Sequence, residues 1–234
     1  YLSKLLPRRT KLSRPGPPDR EHREQLLACN IDQVVVVTSA VQPVFNPGLV
    51  DRFAMVSAYS QLPITLVVNK MDLVSEKPLA CSEFEEVVDK VLYVSAKDRE
   101  GFDALQLELR DKFSVFTGQS GVGKSSLITK LIPGLDLDTG DVRERDGKGR
   151  HTTTVSGLFD LPEGGAVVDT PGIRGLGFWD LKPADLAKLF PAFQPWQGEC
   201  KFSDCLHIAE PGCIIKQKLA EKELSQRVWD SYIR

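Results

Sequence analysis

The residues most suggestive of chemistry form a glycine-rich segment that ends in lysine and serine. Its glycines allow backbone N–H groups to approach phosphate oxygens, and its spacing is typical of a loop that binds a nucleoside triphosphate. We expect Lys124 to reach the β- and γ-phosphates and to act in catalysis, and Ser125 to ligate Mg²⁺. The alternative is a glycine-rich turn that fits the pattern by chance. The segment reads Gly118-Gln119-Ser120-Gly121-Val122-Gly123-Lys124-Ser125.

A second motif, upstream of the first, has the residue types that read a guanine base. It is Asn69-Lys70-Met71-Asp72. A carboxylate facing guanine accepts hydrogen bonds from the ring N–H and the exocyclic amine, whereas adenine lacks this donor pair and leaves the carboxylate unpaired. We expect Asp72 to have this role, Asn69 to brace the loop and the stem of Lys70 to cover the base. The segment Ser95-Ala96-Lys97 is expected to donate a backbone N–H to the guanine oxygen.

Two further segments have residues suited to sensing the γ-phosphate. In Asp169-Thr170-Pro171-Gly172 the carboxylate is expected to hold a water on Mg²⁺, and the Gly172 N–H to contact the γ-phosphate. One of the three threonines in Gly149-Arg150-His151-Thr152-Thr153-Thr154, taken as Thr153, is expected to complete the Mg²⁺ shell in the triphosphate state. The alternative for three successive threonines is the start of a strand.

The residue after Gly172 is Ile173, where many GTPases carry a glutamine that orients the attacking water. An apolar side chain cannot orient water, so intrinsic hydrolysis is expected to be slow or to use another group. His151 is the candidate, because it lies in the segment between the phosphate loop and Asp169. A structural or partner-contacting role for this histidine is the alternative.

A cluster of three cysteines and one histidine near the end of the chain could hold a metal. Three thiolates and one imidazole, with no carboxylate, fit a closed tetrahedral Zn²⁺ site. Beside a nucleotide switch, such a cluster favours a metal in a reducing compartment over disulfides. The role is expected to be structural, because a short helical appendage has too little core to fold alone. The alternative is buried cysteines with no metal. The expected ligands are Cys200, Cys205, His207 and Cys213.

Each nucleotide motif follows the carboxyl end of a predicted strand. Ligands bind at this position in open α/β sheets. Strands and helices alternate, which predicts a mostly parallel sheet with helices on both faces. Beyond residue 180 the pattern changes to short helices and the cysteine cluster. The expected strands are 33–38, 64–68, 91–94, 113–117, 155–161 and 166–168, and the expected helices are 51–60, 82–89, 102–112, 124–131 and 214–232.

Length and composition limit the possible classes of protein. The 234 residues can hold one nucleotide-binding domain and a smaller unit, and a hydrophobic content of 41% is sufficient for a core. The net charge of −2 provides no global basic field, so any contact with nucleic acid must use a local patch. No apolar run reaches the roughly eighteen residues of a membrane span. We expect an appendage over 1–24, a nucleotide-binding domain over 25–178 and a zinc-binding domain over 179–234.

In combination, these motifs resemble the RsgA (YjeQ) family of small-ribosomal-subunit-dependent GTPases. The order is distinctive, because the guanine-reading motif precedes the phosphate loop, whereas ordinary GTPases have the reverse order. The resemblance implies an α/β fold with a circularly permuted P-loop GTPase domain and a small C-terminal helical zinc-binding domain. It also implies an N-terminal OB-fold, of which this chain holds at most the last strand. The resemblance further rests on Ser126 after the phosphate loop and on Glu210-Pro211-Gly212 among the cysteines.

The resemblance implies GTP hydrolysis in late maturation of the small ribosomal subunit, as a checkpoint or release factor that the subunit stimulates. The expected cofactors are one structural Zn²⁺ and Mg²⁺ with GTP. The expected partners are GTP, GDP and the small subunit with its rRNA, with no membrane and a monomeric state. The expected compartment is the cytoplasm, or an organelle stroma or matrix if a transit segment was removed. Two rival classes stay open: an ATP-using P-loop enzyme, and an RNA-binding scaffold whose nucleotide site is structural.

Overall fold

The computed structural model describes residues 7–15, 24–85, 87–135, 157–169 and 183–233. Within these residues, no helix combines the length and the apolar character that a membrane crossing needs. Short 3-10 segments cover Met71–Leu73 and Pro191–Trp196. The strands are β1 (Lys11–Pro15), β2 (Glu24–Cys29), β3 (Gln33–Ser39), β4 (Ile64–Asn69), β5 (Lys90–Tyr93), β6 (Phe113–Thr117), β7 (Gly157–Asp160) and β8 (Ala166–Asp169), and the helices are α1 (Pro47–Ser60), α2 (Leu79–Ser82), α3 (Phe102–Leu109), α4 (Lys124–Leu131), α5 (Pro183–Leu189), α6 (Ile214–Ala220) and α7 (Gln226–Ile233).

A six-stranded sheet, in the order β5-β4-β3-β6-β8-β7, forms the centre of the nucleotide-binding part. Neighbouring strands pair in parallel, except that β7 pairs with β8 antiparallel. The registers align Ser39 with Asn69, and Phe116 with Asp169, so the carboxyl ends of these strands share one edge. The predicted α/β class with a mostly parallel sheet is therefore confirmed.

The central strand β3 contributes to two hydrophobic cores because its successive side chains point to opposite faces. Val34 and Val36 pack in a core with Phe53 of α1, whereas Val35 and Val37 pack in a second core with α3 and α4. Strands covered on both faces read as continuous apolar runs, which explains the four consecutive valines. The nucleotide motifs thus follow strands that are anchored in both cores.

The N-terminal part of the chain contains an antiparallel pair, β1 with β2, that the sequence does not predict. Leu12 of β1 is fully buried and belongs to the same core cluster as Ile31 and Phe53. A hydrogen bond from the backbone N–H of Asn30 to the Thr10 carbonyl extends the connection. Residues 11–15, within the range expected to form an appendage, therefore pack on the sheet domain.

The helix predicted over 82–89 is wrong. The helical residues are Leu79–Ser82, and the described residues that follow form turns. Phe84 is fully buried there, and Asp89 Oδ2 accepts a hydrogen bond from the backbone N–H of Ile64 at 2.7 Å. The aspartate therefore helps to anchor the start of β4, a long-range contact that local sequence pattern cannot reveal.

The single helix predicted over 214–232 is also wrong, because α6 and α7 are separate helices. Lys222 has a positive φ of 62°, which ends α6, and the backbone N–H of Leu224 turns back to the Lys218 carbonyl. The break allows Leu224 to enter a third core cluster with Phe190 and Phe193. Met55 of α1 belongs to this cluster, so the C-terminal unit packs against the nucleotide-binding part.

Candidate functional site

The phosphate loop lies between β6 and α4 and has a backbone that only glycine adopts readily at its key positions. Gly118 has φ 139°, and a Cβ there would lie 2.0 Å from the Val37 carbonyl oxygen. Gly123 has φ 96°, and a Cβ there would lie 2.3 Å from Asn69 Nδ2. Both approaches are far inside van der Waals contact, so these glycines allow the loop to pack against β3 and against the base-reading motif.

Lys124 and Asp169 face each other at the carboxyl edge of the sheet. Lys124 Nζ donates to the carbonyls of Gly118 and Gln119 at 3.0 Å each. Burial lowers the pKa of Lys124, whereas the charge of Asp169 acts to raise it. Burial likewise raises the pKa of Asp169, against the opposing charge of Lys124. A cation and an anion in a poorly solvated site are suited to binding a phosphate together with its divalent metal.

One oxygen of Asp169 is available for a further ligand. Asp169 Oδ1 is buried and finds no hydrogen-bond partner among the described residues. Buried carboxylate oxygens are normally paired, so an unpaired one indicates a missing donor or ion. A water molecule held by Mg²⁺ fits this requirement, because Mg²⁺ keeps several of its waters when it binds a nucleotide.

Asn69 connects three loops of the site. It is 1% exposed, its Oδ1 accepts from the backbone N–H of Ala96 at 3.1 Å, and its Nδ2 donates to the Val122 carbonyl at 2.9 Å. The side chain therefore joins the base-reading motif to the phosphate loop and to the segment Ser95-Ala96-Lys97. This geometry fits the bracing role expected for Asn69.

The carboxylate of Asp72 is oriented by two side chains of the neighbouring loop. Ser95 Oγ donates to Asp72 Oδ1 at 2.9 Å, and Lys97 Nζ lies 3.8 Å from Asp72 Oδ2. The Asp72 side chain is 9% exposed, whereas that of Lys97 is 74% exposed. A largely buried acceptor of fixed orientation is suited to distinguishing ligands by their donors.

Lys70 links the base-reading motif to the phosphate loop and to a segment that the sequence does not single out. Its Nζ donates to the Gly121 carbonyl at 2.8 Å and to the Gln42 carbonyl at 2.5 Å. Gln42 lies in the connection between β3 and α1. The acceptor is a main-chain oxygen, so no residue type at position 42 could have signalled this contact.

The remaining predicted residues divide into two groups. Gln119, Ser120 and Val122 lie in the phosphate loop, and Ser125 and Ser126 lie in the first turn of α4, while Met71 begins the 3-10 segment after Lys70. His151, Thr153, Gly172 and Ile173 lie outside the described residues.

The cysteine cluster brings the four predicted metal ligands together. Their ligand atoms all lie within 4.8 Å of one another. His207 Nδ1 is 3.5 Å from Cys200 Sγ and 3.4 Å from Cys213 Sγ. Tetrahedral zinc with ordinary Zn–N and Zn–S bonds requires about 3.6 Å between such atoms. The donor set and spacing therefore fit one tetrahedral metal ion.

Burial shifts the pKa values of ligands in this cluster. Burial, with smaller contributions from Cys213 and Cys200, raises the pKa of Cys205 to about 12. Burial also raises the pKa of Cys213 and lowers the pKa of His207. Thiols that ionise poorly on their own become thiolates when a metal compensates their charge, and neutral histidine is the form that ligates.

Sequence comparisons give a consistent family. The sequence model of the family described as RsgA GTPase matches residues 5–179. The chain is 40% identical over 233 residues to Small ribosomal subunit biogenesis GTPase RsgA 1 of Vibrio vulnificus (strain YJ016), covering 97% of this chain and 65% of that protein. It is 38% identical over 235 residues to Small ribosomal subunit biogenesis GTPase RsgA of Gemmatimonas aurantiaca, covering 100% of this chain and 76% of that protein. The chain thus spans about two thirds of the length of the Vibrio relative.

Two solved structures have similar folds. The crystal structure of YjeQ from Thermotoga maritima superposes with a TM-score of 0.75 at 31% identity, covering 99% of this chain and 75% of that one. YloQ, described as a circularly permuted GTPase, superposes with a TM-score of 0.68 at 30% identity, covering 99% of this chain and 80% of that one. The predicted circular permutation is confirmed by these neighbours together with the order of the motifs.

Proposed function

Because this chain belongs to the RsgA GTPase family, we propose that it binds GTP, hydrolyses it to GDP and phosphate, and acts in late maturation of the small ribosomal subunit. The observation that carries the proposal is the double hydrogen bond of Asn69, to Ala96 N–H and to the Val122 carbonyl. It joins a guanine-reading loop to a phosphate loop at one edge of the sheet, as recognition of a whole guanine nucleotide requires.

The proposed roles at the phosphate end follow from charge and position. Lys124 stabilises the charge that develops on the transferred phosphoryl group, and Ser125 ligates Mg²⁺. Asp169 would hold a water of that ion through Oδ1, which finds no hydrogen-bond partner among the described residues. Mg²⁺ supplies charge neutralisation at the phosphates when it is bound. From the sequence alone, we assign Thr153 to the Mg²⁺ shell, Gly172 to the γ-phosphate and His151 to the attacking water.

Specificity for guanine is proposed to reside in Asp72. Its carboxylate is held by Ser95 and is largely buried, so a base without two adjacent donors would leave a buried acceptor unpaired. Lys70 and Met71 complete the base-reading loop, and Lys97 pairs with Asp72 at the outer edge. This selectivity separates the proposed GTPase from an ATP-using P-loop enzyme.

The C-terminal unit is proposed to hold one structural Zn²⁺ through Cys200, Cys205, His207 and Cys213. We also propose the division of the chain into residues 1–24, 25–178 and 179–234. The partners are the small ribosomal subunit and its rRNA, the protein acts as a monomer, and it works in the cytoplasm or in an organelle that contains ribosomes.

The decisive experiment measures GTP turnover by the purified chain with and without small ribosomal subunits, with ATP as the competing nucleotide. We expect slow hydrolysis by the chain alone, because Ile173 cannot orient water, and acceleration of about 100-fold or more by the subunit. His151→Ala is expected to lose the stimulated rate while it retains nucleotide affinity. Turnover that is absent in both conditions would instead indicate an RNA-binding scaffold with a structural nucleotide site.

A further inference from the structure

The metal loop, residues 200–213, contains a glutamate that does not act as one of the four ligands. Glu210 is part of the segment Glu210-Pro211-Gly212, and its carboxylate accepts three backbone hydrogen bonds. Oε1 accepts from Leu206 N–H at 3.0 Å, and Oε2 accepts from Ile208 N–H at 2.9 Å and Ala209 N–H at 3.0 Å. Carboxylates are possible zinc ligands, but this one is directed to the backbone.

The three hydrogen bonds enclose the ligand His207. Leu206 and Ile208 are its immediate neighbours, so one carboxylate holds the backbone on both sides of the imidazole. The N–H of His207 itself donates to Cys205 Sγ at 3.4 Å. The four successive amides of residues 206–209 therefore all point to anionic or potentially anionic acceptors, an arrangement that fixes the path of the chain.

The backbone of His207 needs such a restraint. Its φ is 61°, in the left-handed region, which a residue with a Cβ occupies at some cost. Other contacts hold the ring and the preceding carbonyl: Phe193 meets the imidazole edge-on at 5.3 Å between centroids, and Tyr232 OH donates to the Leu206 carbonyl at 2.7 Å. Glu210 is the group that satisfies the amides in this strained turn.

We propose that Glu210 is a positioning residue of the metal centre: it holds the backbone of residues 206–209 so that His207 Nδ1 faces the three cysteine sulfurs before the metal binds. The inference rests on the proposed metal site. The backbone N–H groups of Glu210 itself and of the other loop residues around the carboxylate lower the pKa of Glu210. Groups that orient ligands in this way typically change metal affinity by about 10- to 100-fold.

The test compares the zinc affinity of the full chain and its variants by competition with a chromogenic chelator. Glu210→Gln is nearly isosteric but places an NH₂ group against one set of amide donors, so we expect affinity to fall by about 10- to 100-fold, and at least as far in Glu210→Ala. Glu223→Gln is the matched control, because this glutamate lies in the same unit and pairs with Lys218. An affinity in Glu210→Gln equal to that of the parent chain overturns the proposal.

A double-mutant cycle distinguishes positioning of His207 from a general effect on the loop. If Glu210 acts through the imidazole, Glu210→Gln should cause little further loss of affinity in a His207→Ala background. Additive losses would overturn the proposal. The absorption spectrum of the Co²⁺-substituted chain gives an independent readout, and we expect Glu210→Gln to alter the visible bands that report the coordination of the ion. A parent chain that binds no metal would instead refute the metal site itself.

Discussion

The nucleotide-binding part and the C-terminal unit place their functional side chains by different means. In the nucleotide-binding part, the motifs follow strands that are buried in two cores. Asn69 and Lys70 there form hydrogen bonds with the phosphate loop. In the second, four ligands come from one short loop beside a single small core. The difference indicates that the sheet and its two cores maintain the geometry of the nucleotide site, whereas the cysteine cluster relies on hydrogen bonds within its own loop and on the proposed metal.

Among the described residues, the two parts make specific polar contacts beside the apolar contact of Met55. Asp51 of α1 is 2% exposed and receives a hydrogen bond from Arg227 of α7 at 2.9 Å. Arg227 also lies 3.4 Å from Glu83 and stacks over the ring of Phe84 at 4.7 Å. Burial raises the pKa of Asp51, whereas a hydrogen bond from Ser231 and the charge of Arg227 act to lower it. Residues of the C-terminal unit therefore stabilise the charged form of this carboxylate. These contacts could couple the nucleotide site to the cysteine cluster.

The largest expected effect is on catalysis, in Lys124→Ala. Removing the buried ammonium should lower the GTP hydrolysis rate by about 1,000-fold, because charge on the transferred phosphoryl group loses its partner. The fold should be retained, since Phe116 of β6 and Leu127 and Ile128 of α4 are anchored in the second core. Lys130→Ala, an exposed lysine on the same helix, is the control in a single-turnover assay. Parent-like turnover in Lys124→Ala would show that this loop is not the active site.

The next effect concerns base selectivity in Asp72→Asn. Exchanging one acceptor for a donor should weaken GTP binding by about 100-fold and improve binding of xanthosine triphosphate, as measured by fluorescent-nucleotide competition. Asp98→Asn, at an exposed position close to Ser95, should leave both affinities unchanged. Equal GTP affinity in the parent and Asp72→Asn would remove Asp72 from base recognition.

Cys205→Ser tests whether the two parts are independent. If the proposed ion stabilises this small core, we expect loss of metal, destabilisation of the C-terminal unit by about 3 kcal/mol and faster hydrogen exchange in α6 and α7. GDP affinity should stay within about twofold of the parent value if the sheet alone holds the nucleotide site. Removing the metal with a chelator should reproduce both results. A parallel fall in GDP affinity would break the contrast and implicate the contact between Asp51 and Arg227.

The smallest expected effect is on stability, in Glu108→Gln. Glu108 pairs with Lys90, at the amino end of β5. Burial opposes ionisation of this carboxylate, but Lys112 and Lys90 outweigh it and lower the pKa of Glu108. The ion pairs therefore stabilise the fold above the ordinary pKa of 4.5, and this stabilisation is lost as the pH falls through the lowered folded value. We expect Glu108→Gln to cost about 1 kcal/mol in urea unfolding at pH 7 and less at pH 3.

The matched control for this experiment is Glu163→Gln. Glu163 pairs with Arg110 on the surface, where both side chains are about half exposed, and such pairs contribute little. A cost in Glu108→Gln that does not shrink with acid would mean that packing, rather than charge, explains the loss.

The sequence predicts the parts of the molecule in which local pattern and tertiary structure agree. The bounds of β6 and α4 match because a buried apolar run and a glycine loop leave few alternatives. The clustering of Cys200, Cys205, His207 and Cys213 is predictable because their residue types and density are unusual. The break between α6 and α7 is not predictable, because the turn at Lys222 forms to bury Leu224 in a distant core. The contact between Asp51 and Arg227 spans 176 positions and has no local signal.

The strand order has a consequence for synthesis of the chain. The sheet consists of two sequence-contiguous halves, β3 to β5 and β6 to β8, which among the described strands meet where β3 pairs with β6. A chain that emerges from its N-terminus can therefore assemble the guanine-reading half before the phosphate-binding half exists. Until β6 is made, the second edge of β3 has unpaired backbone groups beside four consecutive valines, a surface prone to pairing with other chains. The order of the halves thus makes β3, a central strand, the one that is exposed to misassociation during translation.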